Sequence, residues 1–489
     1  MKTVISKIII SITAVLIMTY QLTGCAVNPV TGDSDFVLMT EEQEIALGRK
    51  NHAQILKQYE VYDDKVLQAY VQKIGDKVAQ KSHRSNLIYR FTVLDSPEVN
   101  AFALPGGYIY ITRGLMAYLN SEAELAAVLG HEAGHVTARH SVRQHSAATA
   151  TNVLGNILSA ATGIQAAGDV FGVLGAAIVR GYGREHELES DRLGAEYLAR
   201  SGYDPQAMFN VIRVLKNQEE FEKKLAKKEN REPRIYHGVF STHPDNDTRL
   251  KEVIDAAKKI TIKSKTVNRE VFLNKTNSMV FGDGEKQGIV KGNNFYHKYL
   301  GFVISLPENW NIKNQPDAIV AHTESNDGLL HITMQDLNKR ITPREFMIQR
   351  LKMDNLRDGE TIQVNGNKGY TAWTTAKTPF GNREMRISVI YFKNSAWIFR
   401  GVAKDNAAPA KYDHTIMKST RSFRALKSSE QGLASALKLK LIKARAGITF
   451  KELANSSALA NYPEDQLRLL NSHYPAGEPK AGSLIKIVK

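Results

Sequence analysis

Residues 129–140 read LGHEAGHVTARH, two histidines four apart with a glutamate directly after the first, in an otherwise apolar, alanine-rich run. Ser121-Glu122-Ala123-Glu124 just ahead has capping-box spacing, which predicts a helix starting there. On a helix, positions i and i+4 stack on one face, so His131 and His135 can offer imidazole nitrogens to a single ion. Glu132 sits about 100° round the axis from His131 and can reach a water at such an ion without ligating it. The constraint on the fold is strong: another element must carry a third donor to the same face. Gly134, which costs a helix about 1 kcal/mol relative to alanine, predicts that an element packs close beneath the metal.

Where the third donor comes from is less legible. REHELESDRLGAEYLARSG (184–202) is a charged helical pattern with Gly202 as its stop signal. Spacing leaves Glu185, His186, Glu187, Glu189 and Asp191 all open. Glu187 and Asp191 lie four apart and face the same way, so one could bind metal while the other orients a ligating histidine. His140, His145 and His186 read as ordinary polar-face residues.

HEAGH (131–135), followed by ELESD (187–191), resembles the His-Glu-x-x-His and Glu-x-x-x-Asp pair of one zinc metallopeptidase family, which includes HtpX-like proteases and CAAX prenyl endopeptidases. The likeness runs through most of 26–260. CAVNPVTG, DSPEVNAFALPGGYIYITRGL (95–115) and STHPDNDTR (241–249) are similar to its periplasmic, BepA-like lipoprotein branch. This resemblance implies one Zn2+ per chain, held by His131, His135 and Glu187, with Glu132 as general base and Asp191 behind a ligating histidine. It places Asn100 near the substrate backbone. It also brings His243 near the metal, to polarise the scissile carbonyl or to fill the open zinc position and hold the enzyme latent. The implied reaction is hydrolysis of peptide bonds in unfolded or misassembled envelope proteins by Glu-assisted attack of zinc-bound water. GYIYIT (107–112) is expected to be the edge strand to which an extended substrate adds.

The chain holds a single cysteine, Cys25, so disulfides are excluded. Lys2 and Lys7 precede an apolar run from Ile8 to Tyr20, and Leu22-Thr23-Gly24-Cys25 follows. That is a secretory signal layout, and Thr-Gly-Cys resembles the bacterial lipobox, which implies lipid attachment at Cys25. Ala26 after the cysteine resembles an outer-membrane sorting signal, so the expected location is the periplasmic face of that membrane. The net charge of +15 favours anionic partners, but no nucleic-acid module is recognisable.

The segmentation follows: signal peptide 1–24, tether 25–40, metallopeptidase domain 41–261, linker 262–294, accessory domain 295–426 and a C-terminal module 435–489. The expected class is α+β. A mainly helical zincin-like domain with an edge β-strand precedes a small α/β domain and a βααβ module. Residues 147–183, rich in Ala and Gly, read as a pair of loosely packed helices beside the active site. GFVISLPENW resembles the opening of PsbP/Mog1-like domains, with Trp310 read as a core residue. The tail resembles a LysM module, whose relatives bind peptidoglycan glycans; its basic strand LKLKLIKAR would equally suit an anionic polymer or membrane face. The alternative function is a largely latent, chaperone-like or peptidoglycan-binding lipoprotein.

Overall fold

A computed structural model describes residues 25–147, 149, 183–228, 233, 249, 265–315 and 317–489. Most of 147–183, and His243, lie outside these residues. The chain divides into two compact units, residues 1–281 with 438–489, and residues 282–437.

In the first unit, a short antiparallel hairpin, β1 (Cys25–Val27) and β2 (Ser34–Phe36), precedes helix α1 (Glu41–Gln58). Thr40 and Gln43 close the capping box that TEEQ announces. Helix α2 (Lys65–Ala79) buries Leu67, Val71, Ile74 and Val78 on one stripe, the period its sequence carries. A three-stranded sheet follows, in the order β3 (Arg90–Leu94), β5 (Tyr108–Thr112), β4 (Ala101–Leu104).

This order corrects the edge-strand expectation. GYIYIT forms the central strand, parallel to β3 and antiparallel to β4. Every side chain of β5 is buried, so its apolar run needs covering on both faces. The Pro105-Gly106-Gly107 turn folds AFAL back beside it, with both glycines at positive φ (76° and 88°). The edge is therefore β4.

Helix α3 (Arg113–Tyr118) leads to α4 (Glu122–Thr137), the predicted motif helix. Ser121 accepts from the Glu124 backbone N–H, whereas the Glu124 carboxylate takes the N–H of Asn120, one residue before the cap. Helices α5 (Arg184–Arg200) and α6 (Gln206–Lys228) pack against α4, and the chain after α5 turns at Gly202 with φ 77°.

The stretch 262–294, expected to be a linker with short strands, holds such strands and also a packed helix where it is described. Helix α7 (Arg269–Thr276) buries Phe272 and Leu273 completely, and β6 (Val280–Phe281) enters a sheet. Two fully buried apolar side chains are what a solvated linker would not carry.

In the second unit a seven-stranded antiparallel sheet runs β10 (Asn311–Asn314), β11 (Ile319–His322), β12 (Gly328–Asp336), β16 (Ser395–Ala403), β15 (Gly381–Phe392), β14 (Asn367–Thr378), β13 (Arg357–Val364). A four-stranded sheet orders β17 (Arg424–Ala425), β9 (Phe302–Ser305), β8 (Asn294–His297), β7 (Ile289–Lys291). Helices α8 (Pro343–Gln349) and α9 (Asp413–Ser422) complete it, and Trp310 packs against its core.

The C-terminal residues return to the first unit as β18 (Leu437–Lys443), α10 (Phe450–Ala454), α11 (Pro463–Leu470) and β19 (Leu484–Val488), the expected βααβ order. Their hairpin is extended by β6, in the order β19-β18-β6. Lys486, fully buried, donates to the carbonyls of Ala117 and Leu119, and Asn120 donates to Leu470 O and Ser472 Oγ. The module thus grips the turn from which α4 starts.

Candidate metal centre

The packing of α4 on α5 sets the site. A Cβ on Gly134 would lie 3.1 Å from Ser190 Cα, and one on Gly194 would lie 3.0 Å from the backbone nitrogen of His131. Small residues on both helices bring the backbones together, as expected for Gly134. The close approach carries Glu187 to the histidines.

Nε2 of His131 and Nε2 of His135 are 3.0 Å apart. Glu187 places Oε2 3.5 Å from the first and Oε1 3.4 Å from the second. A tetrahedral zinc with bonds of about 2.0–2.1 Å needs donors about 3.3–3.4 Å apart, so the three groups fit the ion. All three are buried, Glu187 completely. Among the described residues no other set of three or more histidine, cysteine or carboxylate groups comes within metal-binding distance. Of the alternatives left open by spacing, Asp191 stands behind the ligands: its Oδ1 is 2.8 Å from His131 Nδ1.

Arg249, in the STHPDNDTR stretch, was not singled out by sequence reasoning. Its Nε and Nη2 donate to the two oxygens of Asp191 at 2.7 and 2.8 Å, and Nη1 lies 3.3 Å from Glu187. Burial would raise the Asp191 pKa, but the Arg249 guanidinium and the His131 contact outweigh it and hold the carboxyl below its usual range. Burial would likewise depress His131; Asp191 and Glu187 prevail and raise it. A proton and a divalent ion therefore compete for the same imidazole.

His140 is also not the polar-face residue its sequence position suggested. It is fully buried, with Nδ1 2.8 Å from Nδ1 of His135. Glu189, another open candidate, faces His140 rather than the donor triangle. His186 stacks on the His140 ring with centroids 4.2 Å apart.

Strand β4 runs past both histidines: Ala101 lines a recess with His131 and Glu132, and Ala103 and Leu104 line a smaller one with His135. The first recess, about 30 Å³, is walled mostly by apolar side chains, Leu115, Val128, Ile212 and Leu215 among them, with Arg249 also lining it. Asn100 directly precedes β4; its backbone pairs with Thr112, and its buried Oδ1 has no hydrogen-bond partner among the described residues.

Residues 65–257 match peptidase family M48. The chain carries an M48 peptidase domain. It is similar to the beta-barrel assembly-enhancing protease of Yersinia pestis, 31% identical over 238 residues that make up 47% of each chain. It is also similar to the mitochondrial metalloendopeptidase OMA1 of Arabidopsis thaliana, 33% identical over 160 residues, 32% of each chain. The match thus spans about half the length of the Yersinia relative, at 47%. Among solved structures, cyanobacterial PsbP from Synechocystis aligns with 28% of this chain and 95% of its own, at 12% identity and a TM-score of 0.22. No described helix is long and apolar enough to cross a membrane.

Proposed function

We propose that the chain is a zinc-dependent endopeptidase of the bacterial cell envelope that hydrolyses bonds in unfolded or misassembled polypeptides. One observation carries the reading: two imidazole nitrogens and a carboxylate from a second helix converge, buried, at 3.0, 3.4 and 3.5 Å. Zinc held there supplies Lewis acidity, polarising a carbonyl and acidifying water.

The chain's own residues do the rest. His131, His135 and Glu187 hold the ion. Glu132, next to His131 on α4, takes a proton from the attacking water and returns it to the departing amine. Asp191 accepts from His131 Nδ1–H and is itself pinned by Arg249. The outer edge of β4 pairs with the backbone of an extended substrate, and Asn100 at its start bonds the same backbone. Such pairing reads main chain, which suits unfolded substrates. The apolar recess beside His131 and Glu132 takes an aliphatic side chain flanking the scissile bond. His243 would polarise the scissile carbonyl or hold the enzyme latent.

The N-terminal features support lipid attachment at Cys25 and anchoring at the periplasmic face of the outer membrane; the βααβ tail supports a LysM-like contact with peptidoglycan. The test is cleavage of casein by the purified protein before chelation, after it, and after zinc is restored. Activity that follows the metal is expected; cleavage indifferent to chelation would overturn the proposal.

A further inference from the structure

A histidine that ligates through Nε2 carries its proton on Nδ1, and that N–H needs an acceptor. For His131 the acceptor is Asp191. For His135 Nδ1 an imidazole lies in reach, His140 Nδ1 at 2.8 Å. The far nitrogen of His140, Nε2, lies 3.0 Å from Glu189 Oε2.

One placement of protons satisfies both contacts while leaving His135 Nε2 free for an ion. His140 must be neutral with its proton on Nε2, donating to Glu189. Its Nδ1 lone pair then accepts the Nδ1–H of His135. If His140 carried a proton on Nδ1 instead, His135 would have to accept there and hold its own proton on Nε2, where the metal belongs.

We propose that Glu189 and His140 form this ordered relay and are positioning residues for the ligand His135. The inference rests on the metal reading above. The surroundings are built for it. Arg143 Nη1 is 3.4 Å from Glu189 Oε2, favouring the ionised acceptor. Ser190 Oγ, 3.4 Å from His140 Nδ1, can donate to the same lone pair. The turn that folds His140 back onto His135 passes through Arg139 at φ 55°, a conformation a few per cent of non-glycine residues adopt. It is held by the buried Glu44, 3.0 Å from Arg139 Nε, and by the Met39 carbonyl. Strain kept in place by buried partners marks a position the site uses.

The test is zinc affinity of the full chain, read by competition with a chromophoric chelator, with the cobalt absorption spectrum as a report on geometry. In Glu189→Gln the acceptor facing His140 Nε2 loses its charge and with it most of its hold on the tautomer; His140→Phe keeps a ring but removes the acceptor. Each is expected to weaken zinc binding about 10–100-fold and to alter the cobalt spectrum. His140→Asn places an acceptor oxygen where Nδ1 stood, so it should recover most of the affinity. Adding Glu189→Gln to it should then cost nothing more. Zinc affinity within two-fold of wild type in both Glu189→Gln and His140→Phe would overturn the relay. So would a further loss when Glu189→Gln is added to His140→Asn. If His140→Phe fails to fold, the Glu189→Gln and His140→Asn comparison decides alone. Absence of zinc binding by wild type would instead sink the metal reading beneath it.

Discussion

Replacing Gly134 by leucine tests whether the distance between two helices sets the metal site. A Cβ at this position would meet Ser190 Cα and O at 3.1 Å and Leu193 Cβ at 3.3 Å, whereas relaxed carbon contacts lie at about 3.5–4.0 Å. Alanine asks α5 to retreat a few tenths of an ångström and recovers about 1 kcal/mol of helix propensity, so Gly134→Ala should be close to neutral. Leucine adds three carbons against the Ser190 backbone. The helices must then separate by on the order of 2 Å, with an overpacking cost of about 1–3 kcal/mol. Glu187 rides on α5 one turn before Ser190, so the 3.4 and 3.5 Å spacings to the histidines cannot survive that shift. Casein cleavage should fall on the order of 100-fold, with zinc affinity falling alongside it in a chelator competition. Thermal unfolding of the metal-free protein separates this loss from global unfolding. A Gly134→Leu protein that binds zinc and cleaves like wild type would refute the reasoning.

The remaining expectations concern three other positions. Arg249→Met leaves Asp191 and Glu187 buried without their cation, so the metal-free protein should lose about 3–5 kcal/mol in denaturant unfolding, and Arg249→Lys should not restore the two-pronged contact; a loss below ~1 kcal/mol counts against the pairing. Lys486 is pushed down to about 7 by burial, while an unfolded lysine titrates near ~10.4. Between those values the unfolded chain binds the extra proton, so stability should climb from pH 7 to pH 9 by up to ~1.4 kcal/mol per unit. Lys486→Met should abolish that climb; an unchanged pH dependence contradicts the assignment. Val128→Phe fills the apolar recess beside His131, and mass mapping of casein cuts should show the aliphatic residue flanking the cut site replaced by glycine or alanine; unchanged cut sites would remove the recess from the substrate path.

Local signals were legible where local chemistry decides. Thr40 and Ser121 cap helices as their spacing announced, and Gly134 sits against Ser190 as a glycine there required. The i, i+4 spacing pointed to two of the three groups that converge, whereas choosing Glu187 among five candidates needed the family resemblance. What escaped depends on long-range pairing. AFAL is too short to declare itself a strand, and only its pairing with β5 shows that it, not GYIYIT, is the edge. Arg249 lies 58 residues from Asp191, and no periodicity links the two. His140 looked like surface because nothing in a helical pattern reveals that Arg139 turns the chain back toward His135. The segment 262–294 was composed like a linker, and its apolar pair Phe272-Leu273 was the signal to weigh.

The proposed mechanism assigns Glu132, next to His131 on α4, to proton transfer and leaves the ion to His131, His135 and Glu187. Wild type and Glu132→Gln, purified without chelators, should each carry one zinc per chain by elemental analysis, and only wild type should cleave casein. Zinc-loaded Glu132→Gln cutting casein at the wild-type rate, or a wild type that cleaves without zinc, would contradict it.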